Sequence, residues 1–244
     1  DLIAVDTVGQ TRTCVSIAPD DDDRLTELYE PSEPLPASAW DAVVASVRAL
    51  PEDPGGWFVL SGSVAPGVEL AALAELLNGC RGAGYRVALD SHGQALAALV
   101  DGVRPDLVKV NRSEAAELLD LAHDTPIRGL AEGIRARTEG LVVLTDGVAG
   151  SWATDSSGSF RAAPDPVRGR FPVGSGDSFL AGLLVGLGPS GGRSEVVEID
   201  GASVSESLRL AAATASANAA RPGAAVFDLS EVHRARERIE IGTA

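Results

Sequence analysis

The chain has 244 residues, of which 45% are hydrophobic, and this length and composition predict one compact domain. Acidic residues outnumber basic ones by 35 to 20, and the formal net charge of -15 repels nucleic-acid backbones and anionic membrane surfaces. Apolar runs such as residues 58–60 and 141–144 are strand-sized, far shorter than the ~20 residues that a bilayer span needs. We therefore expect neither a nucleic-acid nor a membrane partner.

The two cysteines, Cys14 and Cys80, are too few for a disulfide framework and lack the spacing of a zinc site. No signal-peptide pattern opens the sequence, so a reducing, cytoplasmic compartment is the expectation. Methionine is absent even at position 1, which predicts that the chain begins inside a longer gene product.

The opening segment differs in pattern from the rest of the chain. Residues 11–17 alternate apolar with polar side chains, which predicts a half-exposed strand in a small edge sheet or at the margin of a larger sheet. The acidic run at residues 20–23 is interpreted as a solvated turn, because adjacent carboxylates in a loop usually face water. We assign residues 1–36 to such edge strands and residues 37–244 to the core of a single α/β domain.

From about residue 40 onward, short Val- and Leu-rich runs alternate with longer segments that have helical apolar spacing. This alternation predicts parallel strands joined by crossover helices in a three-layer α/β fold with a mostly parallel central sheet. The predicted strands are 57–60, 86–89, 107–110 and 141–144. The predicted helices are 37–50, 68–83, 112–121, 129–138, 176–187, 203–220 and 230–240. Ligands of such sheets bind at the carboxyl ends of the strands, so the loops there are the candidate sites.

The strongest local signal lies at residues 173–187. Leucines at 180, 183, 184 and 187 mark one face of a helix, and the turn Gly174-Ser175-Gly176 leads into it. Unpaired amide groups and the positive end of the helix dipole favour an anion at this turn. Asp177 beside that anion suits a base that deprotonates an acceptor hydroxyl during phosphoryl transfer, or it merely stabilises the first turn of the helix.

Two common nucleotide-binding patterns do not fit the sequence. The Gly-x-x-x-x-Gly-Lys-Ser/Thr loop of P-loop enzymes is absent. Gly174, Gly176 and Gly182 also lack the spacing and the early βαβ position of a dinucleotide site, which disfavours a dehydrogenase.

A second cluster follows the predicted strand 107–110. Asn111 and Glu114 are three residues apart at a helix start, where their oxygens suit Mg²⁺, and Lys109 could meet a nucleotide phosphate. The other interpretation of Asn111 and Glu114 is an ordinary helix cap. Thr145 and Gly147, after the strand 141–144, lie where backbone could approach a nucleotide.

Near the start of the chain, Arg12 could bind a phosphate through both of its terminal nitrogens. Ser61 and Ser63 form a polar turn after the strand 57–60, and a hydroxyl there could add a hydrogen bond. A surface arginine and an ordinary turn remain the simpler interpretations.

Taken in order, these segments resemble the ribokinase-like (PfkB) carbohydrate kinases, and in particular their phosphosugar branch. That branch contains the 1-phosphofructokinases, the tagatose-6-phosphate kinases and the minor type of 6-phosphofructokinase. The resemblance runs from about Gly9 to Gly223 and rests on four ordered motifs, at residues 11–13, 61–63, 109–114 and 173–182.

The resemblance implies a ribokinase-like fold and ATP- and Mg²⁺-dependent phosphorylation of a hydroxyl of a ketohexose phosphate. It makes Asp177 the base and the backbone of Gly174, Ser175 and Gly176 the anion hole. Mg²⁺ would be organised through water by Asn111 and Glu114. The residues facing the nucleotide would be Lys109, Thr145, Gly147, Asn218 and Gly223, and those binding the sugar phosphate would be Arg12, Ser61 and Ser63. The other interpretation of Asn218 is a capping or packing role.

The sequence also departs from the family pattern. Phe171 stands where the family usually has Asp or Asn, and Cys14 stands where an Asn often follows Thr-Arg. The N-terminal part of the family and its lid have no counterpart, and family members often dimerise through that lid, so a homodimer is compatible with the resemblance. Two other functions stay open: a kinase of a free sugar or nucleoside, and a catalytically silent sugar- or nucleotide-binding module.

Overall fold

A computed structural model describes residues 2–17, 25–50, 56–138, 140–188 and 201–244. The acidic run at residues 20–23, which we interpreted as a turn, lies outside the described residues. Within them, the chain forms one small sheet near its start and one large sheet that is flanked by helices.

The small sheet pairs strand β1 (Cys14–Ile17) with strand β2 (Thr26–Tyr29) in antiparallel register. All eight side-chain positions of these strands are exposed, as the alternation of polar with apolar residues allows. Of the two places expected for the opening strand, the structure has the separate small sheet.

The large sheet has seven strands in chain order, and its first four strands are parallel. The four predicted strands are all present in this parallel part. The last three are antiparallel, so the sheet as a whole is mixed, and they were not predicted because each spans only three or four residues. The strands are β3 (Trp57–Ser61), β4 (Arg86–Asp90), β5 (Leu107–Asn111), β6 (Leu141–Thr145), β7 (Ser151–Thr154), β8 (Ser159–Ala162) and β9 (Ile241–Thr243).

Each predicted helix is present with small differences at its ends. The helix at 93–103 was not predicted, because its run of Ala, Leu and Val at 95–100 has no polar residue to reveal a helical period. Among the described helices, none is long and apolar enough to cross a bilayer. The helices are α1 (Ala37–Arg48), α2 (Leu70–Gly82), α3 (Gly93–Val103), α4 (Arg112–Leu119), α5 (Ile127–Thr138), α6 (Ser175–Leu187), α7 (Gly201–Ala219) and α8 (Leu229–Arg238).

Alternate side chains of the sheet enter two separate cores. Val142 and Leu144 of β6 pack with α2 to α5 on one face, whereas Leu141 and Val143 pack with α6 to α8 on the other. A strand buried on both faces reads as a continuous apolar run, which explains the sequence of β6. The sheet between two helical layers confirms the predicted three-layer α/β fold.

The strand register aligns the carboxyl ends of the parallel strands. Ser61 pairs with Asp90 at the ends of β3 and β4, and Asn111 pairs with Thr145 at the ends of β5 and β6. Four polar side chains from separate sequence motifs therefore lie along one edge of the sheet.

Candidate active site

The turn before α6 presents unpaired amide groups. Ser175 N–H donates to Pro172 O at 3.0 Å and Ser178 N–H donates to Gly174 O at 2.9 Å. Within the described parts of the chain, the amides of Gly174, Gly176 and Asp177 have no hydrogen-bond partner. Gly174 has φ +78°, and a Cβ there would lie 2.7 Å from the Cβ of Ala224, so glycine is required. The turn is thus an anion-binding geometry at a helix N-terminus.

The buried side chain of Asn218 holds this turn in place through hydrogen bonds. Its side chain is 0% exposed. Its Nδ2 donates to Val173 O at 2.8 Å and to Ser175 Oγ at 3.0 Å, and its Oδ1 accepts from Ala225 N–H at 2.7 Å. The predicted contact of Asn218 with a nucleotide is corrected by this burial: the residue positions the turn. Gly223, with φ +105°, is exposed in the adjoining loop and lines neither cavity described below.

A cavity of about 150 Å³ lies at the carboxyl ends of β3, β4 and β5, beside Asp177. Asp177 Oδ1 accepts a hydrogen bond of 3.3 Å from Ser61 Oγ. The predicted residues Ser61, Lys109, Glu114, Gly176 and Asp177 are brought together here. The remaining wall consists of Gly62, Asp90, Ser91 and His92.

Lys109 and Asp90 form a buried ion pair in the wall of this cavity. Lys109 Nζ donates to Asp90 Oδ2 at 2.9 Å, and Lys109 is only 6% exposed. Burial raises the pKa of the Asp90 carboxyl, Lys109 opposes that rise, and the carboxylates of Glu114 and Asp177 add to it. A Cβ added at Gly176 would lie 3.1 Å from Lys109 Nζ, so the ammonium group sits against the anion-binding turn.

Asn111 and Glu114 form a capping box at the start of α4. Asn111 Oδ1 accepts from Glu114 N–H at 2.9 Å, and Glu114 Oε2 accepts from Asn111 N–H at 2.7 Å. The capping interpretation therefore describes these contacts, although Glu114 also lines the cavity. Over the described ranges, no group of three or more His, Cys, Asp or Glu side chains is arranged to hold a metal.

Arg12 reaches the edge of the same cavity through a serine. Arg12 Nη2 donates to Ser63 Oγ at 3.3 Å, and Nη1 donates to Ser32 Oγ at 3.0 Å. Ser63 Oγ lies 3.5 Å from His92 Nε2, and His92 belongs to the cavity wall. The predicted pair Arg12 and Ser63 is thus in contact, and His92 joins it.

A larger cavity of about 300 Å³ lies on the other side of the turn. Its wall includes the predicted residues Thr145, Gly147, Ser175 and Gly176, and Gly176 lines both cavities. Small and apolar side chains make up most of the rest of the wall, which suits a flat aromatic base. Its other lining residues include Val148, Gly150, Val167, Phe179, Ala212, Ala215 and Ala219.

Arg112 fixes the loop that carries Gly147. Its Nε donates to Asp146 Oδ2 at 2.8 Å, and its Nη1 donates to Thr125 O at 2.9 Å. Both hydrogen bonds go to other groups of the protein itself, so Arg112 acts on the larger cavity by fixing the position of the loop.

Sequence reasoning missed Asp90 and His92 among the cavity residues. The signal was available, because residues 90–92 follow the predicted strand 86–89 at the carboxyl edge of a parallel sheet. The composition held a second signal, because Lys109, the partner of Asp90, is the only lysine among the 20 lysines and arginines of the sequence.

Comparison with known proteins agrees with this geometry. The family model of the pfkB family carbohydrate kinases matches residues 5–230. The chain is 34% identical over 178 residues to a 1-phosphofructokinase of Rhodobacter capsulatus, covering 72% of this chain and 56% of that protein. It is 31% identical over 153 residues to the ATP-dependent 6-phosphofructokinase isozyme 2 of Escherichia coli K12, covering 62% of this chain and 50% of that protein.

Solved structures share the fold. The phosphofructokinase-2 of Escherichia coli, in complex with substrates and products, superimposes with a TM-score of 0.78 at 23% identity, over 92% of this chain and 69% of that chain. A possible 1-phosphofructokinase of Thermotoga maritima gives 0.75 at 17% identity, over 97% and 72%. The chain spans about half the length of the curated relatives that it matches. With a match that covers nearly all of its residues, the chain belongs to the pfkB family of carbohydrate kinases.

Proposed function

We propose that this chain carries the site of a kinase that transfers a phosphoryl group from ATP to a hydroxyl of a ketohexose phosphate, as a 1-phosphofructokinase or tagatose-6-phosphate kinase does. One observation carries the proposal: Gly176 lines both cavities, and Asp177 follows it at the wall of the smaller one. A nucleotide and an acceptor bound in the two cavities would meet at the unpaired amides of the turn.

Asp177 is the general base in this proposal. The acceptor hydroxyl gives its proton to the Asp177 carboxylate as its oxygen bonds to the γ-phosphorus, while the bond to the β-phosphate oxygen breaks and ADP leaves. Ser61 Oγ donates to Asp177 Oδ1 and so orients the carboxylate toward the smaller cavity. Asp177 is exposed, so this carboxylate is accessible to an acceptor.

The transferred group is stabilised from two sides. The amides of Gly174, Gly176 and Asp177 have no partner among the described residues, and the Lys109 ammonium lies against the same turn. Preorganised donors of this kind stabilise the charge that develops on the phosphoryl oxygens, and they need no rearrangement during the reaction. Thr145 and Gly147 would face the nucleotide in the larger cavity.

Mg²⁺ would be held beside the smaller cavity, whose wall includes Glu114. Asn111 and Glu114 would hold the ion through water, because their direct contacts complete a capping box. When bound with ATP, the ion would neutralise charge on the phosphate groups.

The acceptor is proposed to carry a phosphate already. Arg12 and Ser63, with His92 beside them, form a polar chain at the rim of the smaller cavity. A guanidinium group with a neighbouring hydroxyl is typical of phosphate recognition. In a chain with a net charge of -15, such local donors are needed to hold an anionic sugar.

The proposal extends to organisation and setting. Residues 1–244 belong to a single kinase domain that acts in the cytoplasm on a small-molecule sugar phosphate. Phosphofructokinase-2 of Escherichia coli has a tetrameric inhibited form, which supports self-association here, in the simplest case as a homodimer. Light scattering of the purified protein measures that state directly.

An ADP-release assay of the full-length protein tests the function. Fructose 1-phosphate, fructose 6-phosphate, tagatose 6-phosphate and fructose are compared as acceptors, and we expect turnover with a phosphosugar. Asp177→Asn should lower kcat by about 10²–10⁴ while ATP still binds. Asp124→Asn, at an exposed loop position, is the matched control and should keep full activity.

Each other outcome identifies a different function. Faster turnover of fructose than of the phosphosugars would assign a free sugar, in place of a phosphosugar, as the substrate. Binding of ATP without turnover of any acceptor would leave a silent binding module. Equal turnover by the wild-type protein and Asp177→Asn would refute the role of Asp177 as the general base.

A further inference from the structure

A second ion pair joins a buried carboxylate in the wall of the larger cavity to an exposed arginine outside that wall. Asp165 follows β8, in the segment that leads to the turn before α6, and its side chain is 4% exposed. It pairs with Arg238, the last residue of α8. The guanidinium Nε donates to Asp165 Oδ1 at 2.9 Å and Nη2 donates to Oδ2 at 2.6 Å.

The Asp165 carboxylate also accepts hydrogen bonds from two other parts of the cavity wall. Val167 N–H donates to Asp165 Oδ1 at 2.9 Å, and Ser216 Oγ of α7 donates to Oδ2 at 2.6 Å. Asp165, Val167 and Ser216 all line the larger cavity, whereas Arg238 does not. One carboxylate therefore fixes the segment after β8 against both α7 and α8.

Asp165 and Arg238 are both charged, and both oxygens of the Asp165 carboxylate accept hydrogen bonds. Arg238 and the hydrogen bonds of Ser216 and Val167 hold the pKa of Asp165 below its ordinary value, although burial alone would raise it. Arg238 Nη1 also donates to Arg234 O at 2.9 Å, so the guanidinium plane is anchored on its own helix. A planar, two-pronged contact of this kind sets orientation as well as charge, and lysine cannot reproduce it.

The family match ends at residue 230, so it includes Asp165 but not its partner. Arg238 lies beyond that limit, far from Asp177 in the sequence. It also touches neither cavity, so any effect on a ligand passes through Asp165 and the segment that Asp165 anchors.

We propose that Arg238 is a positioning residue of the nucleotide site: its ion pair with Asp165 holds the segment after β8 in the shape that binds the adenine nucleotide. The inference rests on the proposed function only in assigning the larger cavity to the nucleotide. Val167, two residues after Asp165 and hydrogen-bonded to it, is the wall residue that this anchor places most directly.

Calorimetric titration with ATP, and separately with fructose 1-phosphate, tests the proposal on the full-length protein. We expect Arg238→Gln to weaken ATP binding about tenfold, Arg238→Lys to weaken it less, and neither to change binding of the sugar phosphate. Arg236→Gln is the matched control, because Arg236 lies on the same helix and pairs with Glu206 on the surface. It should bind ATP as the wild-type protein does.

Kinetics and folding provide the second readout. The KM for ATP should rise in Arg238→Gln, with kcat and the KM for the sugar phosphate unchanged, whereas a merely structural role would lower the melting temperature alone. If Arg238→Gln fails to fold, the double variant Asp165→Asn/Arg238→Gln leaves no unpaired buried charge, and the same ATP titration is made on it.

The outcomes separate this inference from the proposed function. Unchanged ATP affinity in folded Arg238 variants overturns the positioning role alone. Weakened ATP binding in a protein that phosphorylates no sugar supports the inference and overturns the function. A wild-type protein that binds no adenine nucleotide overturns both.

Discussion

Lys109 Nζ and Asp90 Oδ2 lie 2.9 Å apart, and the two side chains are buried together against the turn at Gly176. Asp90 ends β4 and Lys109 lies on the neighbouring strand β5, so the sheet itself sets their separation. The pair couples the charge of the smaller cavity to the anion-binding turn, because protonation of Asp90 would leave the ammonium group without its partner.

The first prediction is that loss of Lys109 raises the pKa of Asp90 further. Burial already raises this pKa and Lys109 opposes the rise, so removing the ammonium removes the opposing cause. A carboxyl with a raised pKa in the folded state stabilises the protein at low pH, and this contribution is lost as the pH rises through that pKa. Lys109→Met should therefore lower the free energy of unfolding more at pH 8 than at pH 5.

Two measurements check this prediction. Denaturant unfolding of Lys109→Met at several pH values gives the stability difference, and Lys109→Met/Asp90→Asn should abolish its pH dependence. Since Lys109 is the only lysine, ¹⁵N-lysine labelling of the wild-type protein gives a single side-chain ammonium signal that follows the titration of Asp90. The same stability loss at both pH values would contradict the coupling.

The second prediction concerns Arg12. Arg12→Ala should raise the KM for a phosphorylated acceptor about 10- to 100-fold, the range expected for one lost hydrogen-bonded charge, and should leave the KM for ATP unchanged. Arg128→Ala is the control, because Arg128 is exposed and forms its ion pair with Glu132 on the same helix α5. Steady-state kinetics with both substrates varied gives the answer, and an unchanged KM for the phosphosugar removes the assignment of its phosphate to Arg12.

Local patterns in the sequence were sufficient for the parallel half of the fold. Strands β3 to β6 are short runs rich in apolar residues, and the helices between them, apart from the one at 93–103, carry a visible period, so each could be predicted alone. Strand β9 could not, because residues 241–243 form a strand only through pairing with β8, about 80 residues earlier in the chain. The helix at 93–103 was missed for lack of polar contrast.

The candidate site divides in the same way. The glycine turn and Asp177 lie within one short motif and were predicted from it, whereas Asp90 and Asp165 acquire their roles from partners 19 and 73 residues away. Asn218 is the opposite case. The resemblance implied a nucleotide contact, with a capping or packing role as the alternative, and a fully buried amide with three internal hydrogen bonds has no surface left for a ligand.

The third prediction follows from that burial. Asn218→Ala should lower the free energy of unfolding by about 2–4 kcal/mol, because Val173 O, Ser175 Oγ and Ala225 N–H would lose their partner inside the protein. Asn78→Ala is the control, since Asn78 is exposed and its Nδ2 donates to Gly102 O at the surface. Chemical denaturation compares the two variants, and a similar small loss in both would show that Asn218 does not hold the turn.

The last prediction concerns the contact between α6 and α7, on which the orientation of the Asp177 turn depends. A Cβ at Gly186 would lie 2.7 Å from Ser207 Cα and 2.8 Å from its Cβ, and one at Gly182 would lie 3.0 Å from Ala211 Cα. Gly186→Ala should therefore force the helices apart at a cost of about 1–3 kcal/mol, and should lower kcat.

Gly79→Ala provides the matched comparison for Gly186→Ala. Gly79 lies inside α2 with nothing within 4 Å of an added Cβ, so alanine there should raise the free energy of unfolding by about 0.5–1 kcal/mol through helix propensity alone. Denaturant unfolding should therefore show that alanine lowers the free energy of unfolding at position 186 and raises it at position 79. A stabilising Gly186→Ala would mean that α6 and α7 pack less closely than the structure has them.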